Sequence, residues 1–321
     1  MRSKLLLLAG ASMCGLASCA EKAPPVAEAV PAVPAVPVAP AATPEPVVDV
    51  TPQAATVPLR WNLGAGQRAT YRLKTRQEAE NAVEQMKERA SGGTEVLATF
   101  EGGAADDKGV FPVRFTFGEL FTHEFNLGRT KDSRSTPIKE GELDAMRNAA
   151  LRAMIGEGGV ALVEPSGRVQ NILEMQAAYQ GARGRIKNPD TQGWLDQMYK
   201  FFNPDAMRFN LTTMFGCVPG ADAKPGDTWT TTSARDSNAG ILAFDRVWTL
   251  EGVEEKDGRK FATVTGVTRV TLPENTGLLS SFYNTTVTKG EGTARVVFDL
   301  SRGMIESARM ETTLEFDNKP K

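Results

Sequence analysis

The stretch VFPVRFTFGELFTHEF, residues 110–125, places most of its apolar side chains at every second position. A period of two residues is typical of a half-buried β-strand, whose successive side chains point to opposite faces of a sheet. The sequence therefore predicts a strand with an aromatic stripe on one face. The residues that share this parity are Phe111, Val113, Phe115, Phe117, Phe121 and Phe125.

Further strands are predicted on both sides of this stretch. Residues 68–76 alternate in the same way, and a strand around residues 95–100 follows a charged excursion through residues 78–90 whose composition is compatible with a helix. In the C-terminal third, turns at Asp257–Gly258 and at residues 301–303 are expected to close two antiparallel hairpins.

The middle of the chain has helical spacing instead. A helix is predicted over residues 142–155, a second after Asp190 as its N-cap, and a third from Asn203–Pro204 to Gly216. Strands, then helices, then strands indicate an α+β fold with curved, mainly antiparallel sheet packed against a central block of helices.

The second and third of these helices are rich in Met and Phe, which allows two interpretations. Their apolar faces either cover the sheet or line a pliable hydrophobic cavity between sheet and helices, because Met adapts to irregular surfaces. On the second interpretation the residues that line a ligand are Phe111, Phe115, Phe117, Phe121, Trp194, Met198 and Met214.

The N-terminus is typical of an exported protein. Residues 1–18 have a positive start and an apolar run, and LASC at residues 16–19 resembles the lipobox of bacterial lipoproteins. The resemblance implies cleavage before Cys19, a lipid anchor on that residue, and, because Ala20 follows it, the outer membrane in a Gram-negative cell. The alternative is an ordinary cleaved signal peptide that leaves Cys19 unmodified.

Composition divides the chain after residue 58. All 23 aromatic residues lie from Trp61 onward, whereas ten of the 19 prolines fall between Pro24 and Pro58. Proline fixes φ and removes a backbone donor, so residues 19–58 are expected to form an extended spacer, followed by one β-rich domain over residues 59–321. The formal net charge of −2 gives no basic field for nucleic acid.

Residues that could carry chemistry are few, and we expect no catalytic centre, metal site or cofactor. His123 is the single histidine, which excludes a zinc site with two histidines and makes it the required base of any Ser–His or Cys–His catalysis. Glu119 becomes a buried acid only if no bulge or outward twist occurs at Gly118. Cys217 is expected to be a buried, inert thiol or to pair with another chain.

Several short phrases of the sequence together resemble an uncharacterised family of bacterial lipoproteins, domain-of-unknown-function family 6263. The resemblance implies an exported protein with no assigned activity and no catalytic residues to carry over. The sequence departs from the family's pattern chiefly at the charged insert of residues 78–89, where a longer first hairpin is expected. The phrases are GQRATYRL (66–73), DS (132–133) before Pro137, EPSGRV (164–169), VP (218–219), PGDTW (225–229), residues 248–258, GEG (290–292) and FD (298–299).

Three functions are compatible with these observations. The first is a lipid-anchored, non-catalytic binding protein of the cell envelope, whose partner besides the membrane is a hydrophobic ligand or an envelope protein. The second is a structural or assembly lipoprotein without a small ligand. The third is a hydrolase, which requires a polar cleft around His123 or Glu119.

Overall fold

The computed structural model describes residues 55–83, 86–126, 129–134, 142–237, 239–274 and 276–321. Within these ranges the chain forms thirteen β-strands and four α-helices. The strands pair antiparallel in two large sheets and in one small sheet of two strands. The prediction of a mainly antiparallel β-protein is therefore confirmed.

The first half of the chain builds a six-stranded sheet. The short strand β1 (Val57–Leu59) comes first and lies outside this sheet. The strands of the sheet are β2 (Arg68–Val83), β3 (Met86–Gly102), β4 (Phe111–Asn126), β5 (Arg129–Arg134), β6 (Gly158–Val163) and β7 (Val169–Leu173). Neighbouring strands follow the order β2-β3-β4-β6-β7, and β5 pairs with the end of β4 that β6 leaves unpaired.

The charged excursion at residues 78–90 belongs to this sheet and is not helical. β2 and β3 pair without interruption from Arg68 opposite Glu101 to Val83 opposite Met86, so the first hairpin is long. Pairing with a neighbouring strand has outweighed the local helix propensity of Glu, Lys and Arg.

Four helices occupy the middle of the sequence, and the predicted central helical block is wrong. β6 and β7 separate the first helix from the other three along the sequence, and the apolar core draws its residues from both large sheets as well as from the helices. The helices are α1 (Glu142–Ala153), α2 (Met175–Arg185), α3 (Pro189–Phe202) and α4 (Pro204–Phe215).

The helix starts show how local chemistry sets these boundaries. Asn188, rather than the predicted Asp190, caps α3, and its side-chain oxygen accepts from the backbone N–H of Asp190 at 2.8 Å. Asn203 caps α4 with Pro204 at the first position and Gly216 after the last turn, as predicted.

The second large sheet is a meander of five strands in chain order. After β8 (Ala221–Ala223), which pairs with β1, come β9 (Thr228–Ser237), β10 (Gly240–Lys256), β11 (Arg259–Glu274), β12 (Tyr283–Asp299) and β13 (Met304–Pro320). Each strand pairs with the next, and the turns at Asp257–Gly258 and residues 301–303 lie where the sequence predicts them.

Candidate functional site

The aromatic stripe of β4 lies in a packed interior. Phe111, Phe115 and Phe117 are all at least 95% buried. The rings of Phe115 and Phe117 meet edge to face at 5.8 Å, and Phe117 meets Phe202 of α3 in the same way at 5.4 Å. Such contacts between ring edges and faces are the favoured geometry of aromatic cores.

The predicted ligand-lining residues of the helices pack against this core. Met214 of α4 is buried, while Trp194 and Met198 of α3 are partly buried and contact the core cluster. The arrangement is the one expected of helices that cover a sheet.

One small apolar cavity lies next to the stripe. Of the residues predicted to line a ligand, Phe111 lines this cavity. Its volume is about 10 Å³, room for about one water molecule. Pockets that hold small organic ligands have volumes of roughly 300–1,000 Å³. Binding of a hydrophobic ligand stays a prediction, and this cavity does not offer it a preformed site. The other lining residues are Trp61, Leu63, Ala69, Tyr71, Phe100, Val113, Val163, Phe215 and Met304.

Glu119 lies at the surface. The register of β3 and β4 shifts between Phe117, opposite Ala98, and Glu119, opposite Leu97, so Gly118 forms the bulge that the sequence left as an alternative. The carboxylate is 59% exposed and lies 3.7 Å from the guanidinium of Arg72. Glu119 is therefore not a buried acid, and the predicted acid site is absent at this position.

Three predicted residues lie wholly or partly beyond what the structure describes. The backbone of His123 pairs with Gly93 of β3 and Asp132 of β5, but its side chain is outside the described residues, as is that of Phe121. Because the bulge precedes both residues, the parity argument from the aromatic stripe does not extend to them. Cys19 also lies outside the described residues.

Cys217 is an inert thiol. It is fully buried just after α4, and burial raises its pKa to about 12, which leaves almost no thiolate at neutral pH. It forms no disulfide within the described residues.

The most connected site in the described structure is a junction between the two large sheets that the sequence did not predict. We call it the seam and define it by residues 59–63, 164–169, 215–220 and 303–305. Its centre is Trp61, which is 4% exposed and whose indole N–H donates to the carbonyl of Phe215 at 2.5 Å. The Trp61 ring also meets the rings of Phe215 at 4.5 Å and Phe298 at 5.5 Å.

Backbone hydrogen bonds connect the N-terminal part of the seam to distant turns. The N–H of Trp61 donates to Pro165 at 2.8 Å, and the N–H of Asn62 donates to Gly303 at 3.0 Å. The Tyr71 hydroxyl of β2 also donates to the carbonyl of Ile305 in β13 at 2.9 Å, which joins the two large sheets directly.

Gly167 shows how closely these segments approach. Its φ is +78°, and a Cβ built on it would lie 1.9 Å from the carbonyl oxygen of Phe215 and 2.7 Å from the Trp61 indole nitrogen. Only glycine fits such a position without movement of the neighbouring backbone. The phrases EPSGRV and VP, which carry the family resemblance, thus meet at the seam.

A second cluster joins α2 to α3 through polar groups. Tyr179 stacks on Tyr199 with centroids 4.0 Å apart, and its hydroxyl donates to Asp196 at 2.5 Å. The Tyr179 hydroxyl and the Arg183 guanidinium at 3.0 Å lower the pKa of Asp196. A carboxylate held by two donors beside paired rings is suited to fixing two helices.

Neither a metal centre nor a membrane-spanning helix emerges from the described part of the chain. No three His, Cys, Asp or Glu side chains there are placed to hold an ion. Of the helices in those ranges, none combines the length and apolar character needed to cross a bilayer.

Comparison with known proteins gives one match. No curated protein and no solved structure is similar enough to this chain to count as a match. A family model matches residues 113–305, which is more than half of the chain and runs from β4 of the six-stranded sheet to the end of β12 in the five-stranded sheet. The chain therefore belongs to the family of unknown function DUF6263.

Proposed function

We propose that this protein is a lipid-anchored, non-catalytic protein of the cell envelope whose folded domain acts through its surface, as an assembly or structural component. The observation that carries the surface role is the close packing of the described interior around the aromatic stripe. Phe115, Trp248 and Phe298 are at most 1% exposed, and the cavity beside the aromatic stripe holds about one water molecule.

The anchor is proposed from the sequence alone. LASC at residues 16–19 supports lipidation of Cys19, and the proline-rich residues that follow support a spacer between membrane and domain. Several acyl chains give stable attachment where one chain gives only reversible binding. The slightly acidic net charge offers no electrostatic attraction to anionic lipid, so attachment would depend on the acyl chains.

A non-catalytic role is supported by the residues that catalysis would need. Glu119 is exposed and paired with Arg72, and the Cys217 thiol is buried with a raised pKa. Neither has the environment of a reactive group.

Labelling tests the anchor directly. The full chain is expressed in a Gram-negative host with a clickable palmitate analogue, beside the Cys19→Ala variant and the matched control Cys14→Ala. Label and membrane association are expected in the wild type and Cys14→Ala and not in Cys19→Ala. A labelled Cys19→Ala chain, or an unlabelled wild type, would contradict the proposal.

The surface role has its own test. Native mass spectrometry of the full chain, extracted in mild detergent, is expected to give the mass of the protein and its anchor with no further small molecule. A stoichiometric hydrophobic ligand that survives detergent removal would favour the ligand-binding function instead.

A further inference from the structure

The five-stranded sheet has an open edge at β9. Within the described residues β9 pairs with β10 on one side and with no strand on the other. None of its ten residues is buried, since exposed and half-buried side chains alternate from Thr228 to Ser237. α4 packs beside it on the inner side of the sheet, where Arg235 lies over the Phe209 ring at 5.4 Å.

The first seven residues of this edge lack the features by which proteins block unwanted strand pairing, and the charged Arg235 and Asp236 follow them near the end of β9. Residues 228–234, TWTTTSA, contain neither a charge nor a proline. Natural edge strands carry charges, prolines or bulges, because a free row of backbone N–H and C=O groups is a template for another strand. The opposite edge, β13, follows that rule with Glu306, Arg309, Glu311 and Glu315.

An unsatisfied donor lies at the same edge. The indole nitrogen of Trp229 is buried and has no hydrogen-bond acceptor among the described residues. Trp248, which lies directly opposite Trp229 in β10, has the same kind of donor, and its indole N–H donates to the Thr231 hydroxyl at 2.9 Å. A buried donor without an acceptor is uncommon in folded proteins and indicates that a partner is missing.

We propose that β9 is a docking site for a second copy of this chain, with the two β9 strands pairing antiparallel about a two-fold axis at Thr231. The pairing extends the sheet to ten strands across the dimer and satisfies both open edges at once.

The β9 sequence is complementary to itself in this register. Thr230 lies opposite Thr232 of the second copy, and Asp227, just before β9, lies opposite its Arg235, so opposite charges meet at both ends of the pair. Within one chain the Asp227 carboxylate also accepts from the Lys224 N–H at 2.9 Å, and Arg235 also lies over the Phe209 ring. Trp229 comes opposite Ser233, whose hydroxyl oxygen accepts from Arg246 of its own chain at 2.9 Å and has a second lone pair. Opposite charges favour cross-strand pairs, whereas like charges directly opposite each other oppose them. This charge match selects a second copy over an unrelated extended peptide.

Charge added to the edge tests the proposal. Thr230 and Thr232 are exposed, so Thr230→Lys together with Thr232→Lys should leave the fold intact and bring like charges together across the two-fold axis. Thr293→Lys is the matched control, since Thr293 is an exposed threonine of β12 in the interior of the same sheet. Sedimentation equilibrium of the full chain in excess detergent measures the dissociation constant.

The wild type and Thr293→Lys are expected to form dimers, and the double-lysine variant to dissociate at least about tenfold more readily. A monomeric wild type overturns the proposal. An equal rise of the dissociation constant in Thr293→Lys and in the double-lysine variant also overturns the proposal, because it places the contact on the face of the sheet.

Hydrogen exchange on the unaltered protein gives a second readout. Amides of residues 228–237 are expected to exchange more slowly as the protein concentration rises, while those of β13 stay unchanged. Exchange of β9 that does not depend on concentration contradicts the pairing. The Cys19→Ala chain should behave identically, so failure of the lipid anchor and failure of the dimer are distinguishable.

Discussion

The five-stranded sheet and the seam are built in opposite ways. In the five-stranded sheet each strand pairs with the next along the chain, and short turns determine the order. In the seam, Trp61 contacts Phe215, which is 154 residues away, and Asn62 contacts the turn at Gly303. The first can be assembled from neighbouring residues, whereas the second exists only when the whole domain is folded.

Loss of a ring that is buried at the seam should therefore cost more stability than loss of a ring that is exposed on the five-stranded sheet. Trp61→Ala should have the largest effect and lower the free energy of unfolding by about 3–5 kcal/mol, because it removes a buried ring and its hydrogen bond. Phe316→Ala, at an aromatic residue of β13 that is 41% exposed, is the control and should cost about 1 kcal/mol. Urea denaturation of both variants measures the difference, and similar losses would refute the comparison.

Two glycines with the same backbone conformation sharpen the comparison. Gly167 at the seam and Gly258 in the β10–β11 turn have φ of +78° and +72°. A Cβ added at Gly258 would have no other atom within 4 Å, whereas a Cβ added at Gly167 would lie 1.9 Å from the carbonyl oxygen of Phe215. Gly258→Ala should cost about 1–2 kcal/mol from strain alone, and Gly167→Ala roughly 2–5 kcal/mol because overpacking is added. Thermal unfolding followed by circular dichroism ranks them, and the reverse order would be inconsistent with a close-packed seam.

A substitution in the turn that joins β12 to β13 should lower the free energy of unfolding by a smaller amount. Asp299 is fully buried, lies 3.0 Å from the Arg259 guanidinium and accepts from the N–H groups of Ser301 and Arg302. Asp299→Asn keeps the size but removes the charge, so a loss of about 2 kcal/mol is expected in urea. Asp317→Asn, at a surface carboxylate near Lys319, should be nearly neutral. Equal effects would show that burial of Asp299 is unimportant.

The smallest effect is expected at the bulge of β4. Glu119→Gln removes an exposed ion pair with Arg72 and should change the free energy of unfolding by less than about 0.5 kcal/mol. The difference should shrink further in high salt, because exposed charges are screened. A loss above 2 kcal/mol that salt leaves unchanged would mean that the carboxylate is buried after all.

Elements set by neighbouring residues could be predicted from the sequence. Asp257–Gly258 determines a hairpin turn, and Asn203, Pro204 and Gly216 determine both ends of α4. Each of these signals acts within a few residues, so the local sequence is enough to predict it.

Elements set by distant partners could not be predicted. α2 was missed because it contains two glycines, and its N-cap residue, Glu174, has a left-handed backbone and no capping hydrogen bond. The bulge at Gly118 was one of two alternatives, since the register depends on β3. The candidate ligand site was the feature that the sequence predicted least well. Its residues are apolar, but whether apolar faces enclose a cavity depends on how closely the sheets and helices pack.

The hydrogen bond from Asn62 to Gly303 constrains the order in which the domain can be completed during synthesis. The strands of the six-stranded sheet end at Leu173, so the ribosome has delivered all of them well before residue 303 appears. Residues 59–63 must wait until then to bury Trp61 fully. Among the first segments of the domain to be made, they are among the last to reach their final contacts, because Trp61 meets Phe298 and Asn62 meets Gly303.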